Sequence, residues 1–273
     1  MFSDYSFEDL ASIFAMQGFA GLSLFSVFLL MALGLAIIFG QMGVINMAHG
    51  EFMILGAYTT YLTSHFFENY LPSLFSIYFF VALILSFIFT GLLGALIEYL
   101  MIRHLYSRPL DTLLATWGLS LILQQTYRSI FGAREVGVTL PDWLMGSVNL
   151  TASIEIPING LFVLCLTITG LVDRLTFGLG CGIAGVAGCA FTMIGSTGPT
   201  AGQLYIVDTF LVVVFGGAGT LIGTIASAFG IAQAQSVMEF FMSGSMAKVL
   251  TLLFVVGILM IRPQGLFSVK VRH

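Results

Sequence analysis

Gly18-FAGLSLFSVFLLMALGLAIIF-Gly40 is a run of 23 residues without one charged side chain. An α-helix rising 1.5 Å per residue needs about 20 apolar residues to cross a hydrocarbon core roughly 30 Å thick. The run is long enough for one crossing. Leu74–Ile97, Gly178–Ile194 and Lys248–Ile261 with its neighbours repeat the pattern. A membrane barrel would show alternating segments of about 10 residues instead of continuous runs. Hydrophobic residues make up 58% of the chain and charged residues 8%, against about 25% charged in soluble domains. The fold class read from this is all-α: a polytopic helical membrane protein of eight or nine transmembrane helices, with broken or re-entrant segments, in a single transmembrane domain spanning residues 1–273.

The few charges set an orientation. Arg103, His104 and Arg108 cluster in one connection, Arg262, Lys270 and Arg272 at the C-terminus, and Arg174 between two apolar runs. Cytoplasmic loops carry the excess of Lys and Arg, so these places face the cytoplasm. The acidic N-terminus and the polar stretch 132–157, with Glu135, Asp142 and Glu155, face outward. Nine crossings fit: 18–40, 52–66, 74–102, 112–131, 158–172, 175–195, 204–216, 220–239 and 246–262. The seventh is short, and with the eighth it reads as a broken or re-entrant pair. Residues 1–17 lack the positive region of a signal peptide and read as an interfacial amphipathic segment, with residues 132–157 a periplasmic loop.

Several function classes are disfavoured. No basic patch suggests nucleic acid. No G-x-x-x-x-G-K-[ST] loop binds nucleotide, and no G-x-S-x-G elbow offers a catalytic serine. Cys165, Cys181 and Cys189 lie in apolar runs without metal-ligand spacing. The reading carries no catalytic residue, metal or cofactor.

Polar residues at membrane depth are the candidate site. Asn46, His49 and Glu51 interrupt an apolar stretch within six residues, and intramembrane ionisable groups are costly and usually functional. They line a polar path through a broken helix, or they clasp a short cytoplasmic turn. Thr116, Ser120 and Gln124 are four apart and share a helix face, with Trp117 and Gln125 on neighbouring positions. This stripe offers donors and acceptors without charge to a neutral polar solute, or it bonds helix to helix. Asp208 reads as favoured by a helix N-terminus. Ile37–Ile45 echoes Val213–Leu221, both broken by Phe-Gly-x-x-Gly, and Gly-interrupted segments in two halves point to a transporter's binding site. Gly216 and Gly217 join the pathway candidates on that ground. Small residues four apart, Gly91/Ala95, Gly180/Ala184/Gly188 and Gly219/Gly223, are packing positions.

Gly34-LAIIFGQMGVINMAHGEFMILGA-Tyr58 resembles the signature of the branched-chain amino acid permease family, membrane subunits of bacterial ABC importers. Gly43-Val-Ile-Asn-Met-Ala-His-Gly-Glu51 is its distinctive part. Arg108-PLDTLLATWGLSLILQ-Gln125, Phe131-Gly-Ala133 and Pro141-x-Trp143 are similar to the urea-permease branch. Tyr205-Ile-Val-Asp208, Val214-FGGAGTLIG-Thr224 and Arg262-PQGL-Phe267 also fit. The resemblance implies a permease of the bacterial inner membrane, embedded in the lipid bilayer, which is not itself an enzyme. It pairs with a second permease subunit, two cytoplasmic ATPases and a periplasmic substrate-binding protein. The implied solute is urea or a short amide. The alternatives are a branched-chain amino acid or, in another class, a passive amide channel independent of ATP.

One feature departs from the family. Ile158–Val172 is apolar but only 15 residues long, and it runs straight into Asp173-Arg174-Leu175-Thr176. Family members carry a longer helix there and then a basic cytoplasmic loop, the expected docking point of an ATPase. A deletion of that coupling loop near 171–174 is expected, either real or a segment absent from the written chain.

Overall fold

Residues 7–42 form one helix. The computed structural model of the chain describes residues 7–42, 45–105, 108–145, 147–151, 154–157, 177–217, 220–262 and 265. The first helix, α1 (Phe7–Met42), has 36 residues, about 54 Å at 1.5 Å per residue. Residues 7–17, expected as a separate interfacial segment, are its opening turns. Val27, Phe28, Met31 and Ala32 have no exposed surface, as befits a helix that is apolar all round and buried by its neighbours.

The remaining elements are α2 (His49–Tyr70), α3 (Tyr78–Leu100) flanked by short 3-10 helices at Pro72–Ile77 and Ile102–His104, α4 (Pro109–Phe131), strands β1 (Ser147–Thr151) and β2 (Ile154–Pro157), then α5 (Phe177–Phe191), α6 (Ala201–Gly216), α7 (Leu221–Phe241) and α8 (Gly244–Ile261). Eight helices stand among the described residues, within the expected eight or nine. The crossing expected at 158–172, the junction at 171–174 and Cys165 lie outside the described residues. Among the described residues, four spans are long and apolar enough to cross a membrane: Leu10–Phe39, Pro72–His104, Leu221–Phe241 and Gly244–Ile261. The described residues of the 132–157 loop hold more order than expected. β1 and β2 pair antiparallel, and Val136 and Thr197 exchange backbone hydrogen bonds at 2.8 Å. Trp143 Nε1 donates to Ser76 O at 2.7 Å, and Tyr78 donates to Thr139 O at 2.7 Å. The chain after α4 is thereby folded over the ends of α3 and α5.

Two apolar clusters share α1 as a wall. Val27, Met31 and Ile38 pack with α2, α3 and α5. Phe28, Ala32 and Leu35 pack with α6, α7 and α8. Helix α5 is the central wedge, and glycine makes the wedge possible. A Cβ added to Gly188 would lie 1.8 Å from Met53 O, and one added to Gly56 would lie 2.1 Å from Gly185 O. Lipid supplies no hydrophobic force between helices, so close backbone approach and its dispersion contacts hold them together.

Arg103, His104 and Arg262 gather at one end of the bundle, while Arg128, Arg134 and Lys248 lie toward the other. Arg103 and His104 follow α3, and Arg262 follows α8. A Cβ at Gly265, three residues past Arg262, would lie 2.8 Å from Val214 O. The α6–α7 connection therefore sits at that same end.

Candidate functional site

The chain reverses between α1 and α2 and comes back up. His49 Nε2 lies 3.1 Å from Met31 O, and a Cβ on Gly34 would lie 3.1 Å from the His49 ring. The start of α2 has thus returned about 12 Å along α1, the rise of the eight residues from Gly34 to Met42. Asn46 opens the new helix: its Oδ1 accepts from Ala48 N at 3.0 Å, the local side-chain turn that Asn favours. Glu51 in the first turn places a carboxylate against the positive end of the helix dipole.

Helix α4 meets this turn with its polar face. Thr116 Oγ1 accepts from Met47 N at 3.2 Å. Ser120 Oγ donates to Glu51 Oε1 at 3.1 Å. Gln124 Nε2 donates to Glu51 Oε1 at 2.8 Å and to Ser120 Oγ at 3.0 Å. Tyr127 donates to Glu51 O at 3.0 Å. Ser120 is the middle residue of α4 (Pro109–Phe131), so Glu51 sits at mid-height of that helix. Asn46 and Glu51 are 1% exposed and His49 is fully covered.

A second helix N-terminus arrives at the same place. A Cβ on Gly50 would lie 2.1 Å from Gly202 O, and one on Gly202 would lie 3.0 Å from Glu51 Cδ. The first turn of α6 abuts the first turn of α2, inside the bundle and beside a carboxylate. Two dipole ends, each worth about half a positive charge, offset part of the cost of that charge. Three atoms here have no hydrogen-bond partner among the described residues: Asn46 Nδ2, His49 Nδ1 and Glu51 Oε2. The centre presents both hydrogen-bond donors and acceptors. Among the described residues it contains no Lys or Arg, and no three His, Cys, Asp or Glu stand together as a metal site.

The structure brings together Asn46, His49, Glu51, Thr116, Ser120 and Gln124. It does not bring Trp117 or Gln125 to them. Trp117 is 50% exposed and Gln125 is exposed, because successive residues of a helix point about 100° apart. Gly216 and Gly217 are also elsewhere, at the far end of α6, about 21 Å along it from Gly202. Gly217 has φ +90°, and a Cβ on Gly216 would lie 2.5 Å from Gly223 O. They shape the α6–α7 turn.

Sequence reasoning missed Tyr127, although the spacing 116, 120, 124, 127 places it on the same face. It also misplaced Asp208. That residue is the eighth of α6, away from its N-terminus, and its carboxylate lies 3.2 Å from Lys248 Nζ on α8. Two lone opposite charges in separate apolar runs were the available signal.

Comparison with known proteins places these residues in context. The family model described as branched-chain amino acid transport system / permease component matches residues 18–172. The high-affinity branched-chain amino acid transport system permease protein LivH of Salmonella typhimurium is 26% identical over 314 aligned residues, covering 93% of this chain and 96% of that protein. LivH of Escherichia coli (strain K12) is 25% identical over the same coverage. No solved structure matches the chain.

Proposed function

The chain belongs to the permease family of branched-chain amino acid transport systems, and from that premise we propose that it is the membrane-spanning subunit of a bacterial ABC importer for urea or a short amide. In this reading it lies in the inner membrane with its Arg103 and Arg262 end in the cytoplasm. A second permease subunit, two ATPases and a periplasmic binding protein complete the importer, and the ATPases supply the energy.

The observation that carries the substrate choice is the chemistry around Glu51. Two helix N-termini converge in the bundle, where an anionic solute group would otherwise be welcome. Glu51 already occupies that positive potential. A second carboxylate, as on an amino acid, would meet a like charge with no described Lys or Arg at the centre to balance it. A neutral solute with both donors and acceptors meets no such opposition, and Asn46 Nδ2 and Glu51 Oε2 offer one of each. The likeness of 108–125, 131–133 and 141–143 to the urea-permease branch supports the same choice.

The second reading, a branched-chain amino acid, rests on the names of the LivH relatives. Reconstituted complex with its binding protein, given labelled urea and labelled leucine in parallel, separates the two. Urea uptake at least tenfold above leucine uptake, dependent on ATP and on the binding protein, is expected. Leucine uptake without urea uptake overturns the proposal, and urea flux that ignores ATP makes the protein a channel.

A further inference from the structure

Above Glu51 the seam between α2 and α4 changes character. The two helices run side by side in the same direction. Hydrogen bonds join them in the lower part, from Met47 N to Thr116 and between Glu51 and Ser120, Gln124 and Tyr127. Higher up the contacts are between rings. Tyr58 lies flat on Phe131, with centroids 4.0 Å apart and 8° between the planes. Its ring is 5.4 Å from that of Tyr127. Tyr58 closes the signature stretch Gly34–Tyr58.

Tyr58 is 1% exposed, and its hydroxyl has no hydrogen-bond partner among the described residues. A buried Tyr usually finds one, because an unpaired buried hydroxyl keeps its full desolvation cost. Phe in the same place would keep both ring contacts without that cost. The hydroxyl therefore suits a partner that comes from outside the chain, and its place says which. Tyr58 stands seven residues after Glu51, nearly two full turns, so the two share one face of α2. Long side chains on a helix lean toward its N-terminus, which carries the Tyr58 hydroxyl toward Glu51. Tyr127, whose ring packs beside it, ends on Glu51 O at 3.0 Å.

We propose that Tyr58 is a specificity-determining residue of the Glu51 centre, its hydroxyl donating to the carbonyl oxygen of the neutral amide as the solute enters from the end opposite Arg103. The proposal rests on the importer reading given above. Along the seam the unpaired atoms then alternate: the Tyr58 O–H donates, Glu51 Oε2 accepts and Asn46 Nδ2 donates. A small amide with one C=O and N–H groups beside it matches that order. Its N–H rests on Glu51, and its carbonyl turns first to Tyr58 and afterwards to Asn46. An ammonium ion has no acceptor to offer either donor. All three atoms are covered in this structure, so the solute reaches them only when α2 and α4 part. Stacked rings separate more cheaply than hydrogen bonds to a carboxylate break, so the seam opens from the Tyr58–Phe131 side.

The test removes one oxygen atom. In the reconstituted complex with its binding protein, Tyr58→Phe keeps the ring contacts, and its unfolding midpoint equals or exceeds that of the wild type. Urea uptake at low concentration falls about tenfold, the worth of one hydrogen bond in a desolvated site. Thiourea, whose sulfur accepts hydrogen bonds weakly, enters through the wild type about tenfold more slowly than urea, and Tyr58→Phe changes its uptake by less than about twofold. The preference for urea over thiourea thus nearly disappears in the variant. Tyr61→Phe, one turn higher on α2 and 6.3 Å from the same Phe131 ring, leaves uptake and preference as they are. An equal loss in Tyr61→Phe, or a lowered unfolding midpoint accompanying the lost uptake in Tyr58→Phe, overturns the proposal. Urea uptake by the wild type with an unmoved urea-to-thiourea ratio in Tyr58→Phe sinks this role and leaves the importer reading standing. A wild-type complex that takes up no urea sinks both.

Discussion

Glu51 shows how one carboxylate survives inside an apolar bundle. Its Oε1 receives Gln124 and Ser120, its backbone carbonyl receives Tyr127, and two helix N-termini face it. Replacing Glu51 by Leu removes the acceptor and leaves Gln124 and Ser120 buried without it. Hydrogen bonds to charged groups are worth about 1.5–3 kcal/mol each, so Glu51→Leu costs about 3 kcal/mol or more of stability. Gln124→Leu removes one donor while Ser120 and Tyr127 remain. It costs about 1–2 kcal/mol, keeps expression intact and lowers urea uptake several-fold. Thermal unfolding in detergent and uptake rates check both, and unchanged uptake in Gln124→Leu reduces the stripe to packing. The sharing of a face by Thr116, Ser120 and Gln124 was legible, because spacing alone sets it. The partner of that face was not. In water a polar stripe turns outward, whereas here it is the buried face of α4, with Leu114, Trp117, Leu121 and Ile122 exposed. Adjacency in sequence drew in Trp117 and Gln125, and helical geometry sends them the other way.

At the scale of elements, α5 decides how closely the bundle can pack. Gly180, Gly185 and Gly188 press on α1, α2 and α3 at separations where a Cβ would meet backbone atoms. Backbone cannot swing aside as a flexible side chain can, so the smallest substitution is felt. Gly188→Ala is expected to abolish folding or to cost more than about 3 kcal/mol, in line with severe overpacking of a tight core. Gly118, on α4, is the control: an added Cβ there meets nothing within 4 Å. Gly118→Ala is neutral or stabilises by about 0.5–1 kcal/mol, the usual helix-interior gain of Ala over Gly. Yield of monodisperse protein and the unfolding midpoint distinguish the two, and a well-folded Gly188→Ala protein would refute the wedge role. The glycine spacing in α5 was readable as a packing signal. Which helices it serves was not, since three partners approach three sides of one short helix. The doubling back of the chain into α2 was also illegible, because nothing in Gly43–Ala48 states how far a turn re-enters.

At the scale of the whole molecule the question is coupling. The alignment with LivH of Salmonella typhimurium runs over 314 positions, 41 more than the 273 residues of this chain. The family match ends at Val172, one residue before Asp173-Arg174. The longer alignment means that the relatives carry residues opposite gaps in this chain, and we propose that a gap falls at this junction. Among the described residues, a buried polar centre and two converging helix ends stand inside the bundle. In the importer reading proposed above, the surface through which an ATPase would move them is the segment in question. Intact mass of the purified chain is the first measurement, and 29.5 kDa establishes the direct Val172–Asp173 junction. A complex built on such a chain is expected to hydrolyse ATP with little linkage to uptake. Inserting the corresponding LivH segment between Val172 and Asp173 should raise urea uptake at least tenfold without altering basal hydrolysis. A chain of 29.5 kDa that already imports urea in fixed proportion to the ATP consumed would mean that coupling passes through another contact, with the Arg103–Arg108 connection and the turn around Gly217, both at the Arg103 and Arg262 end, as the candidate surfaces.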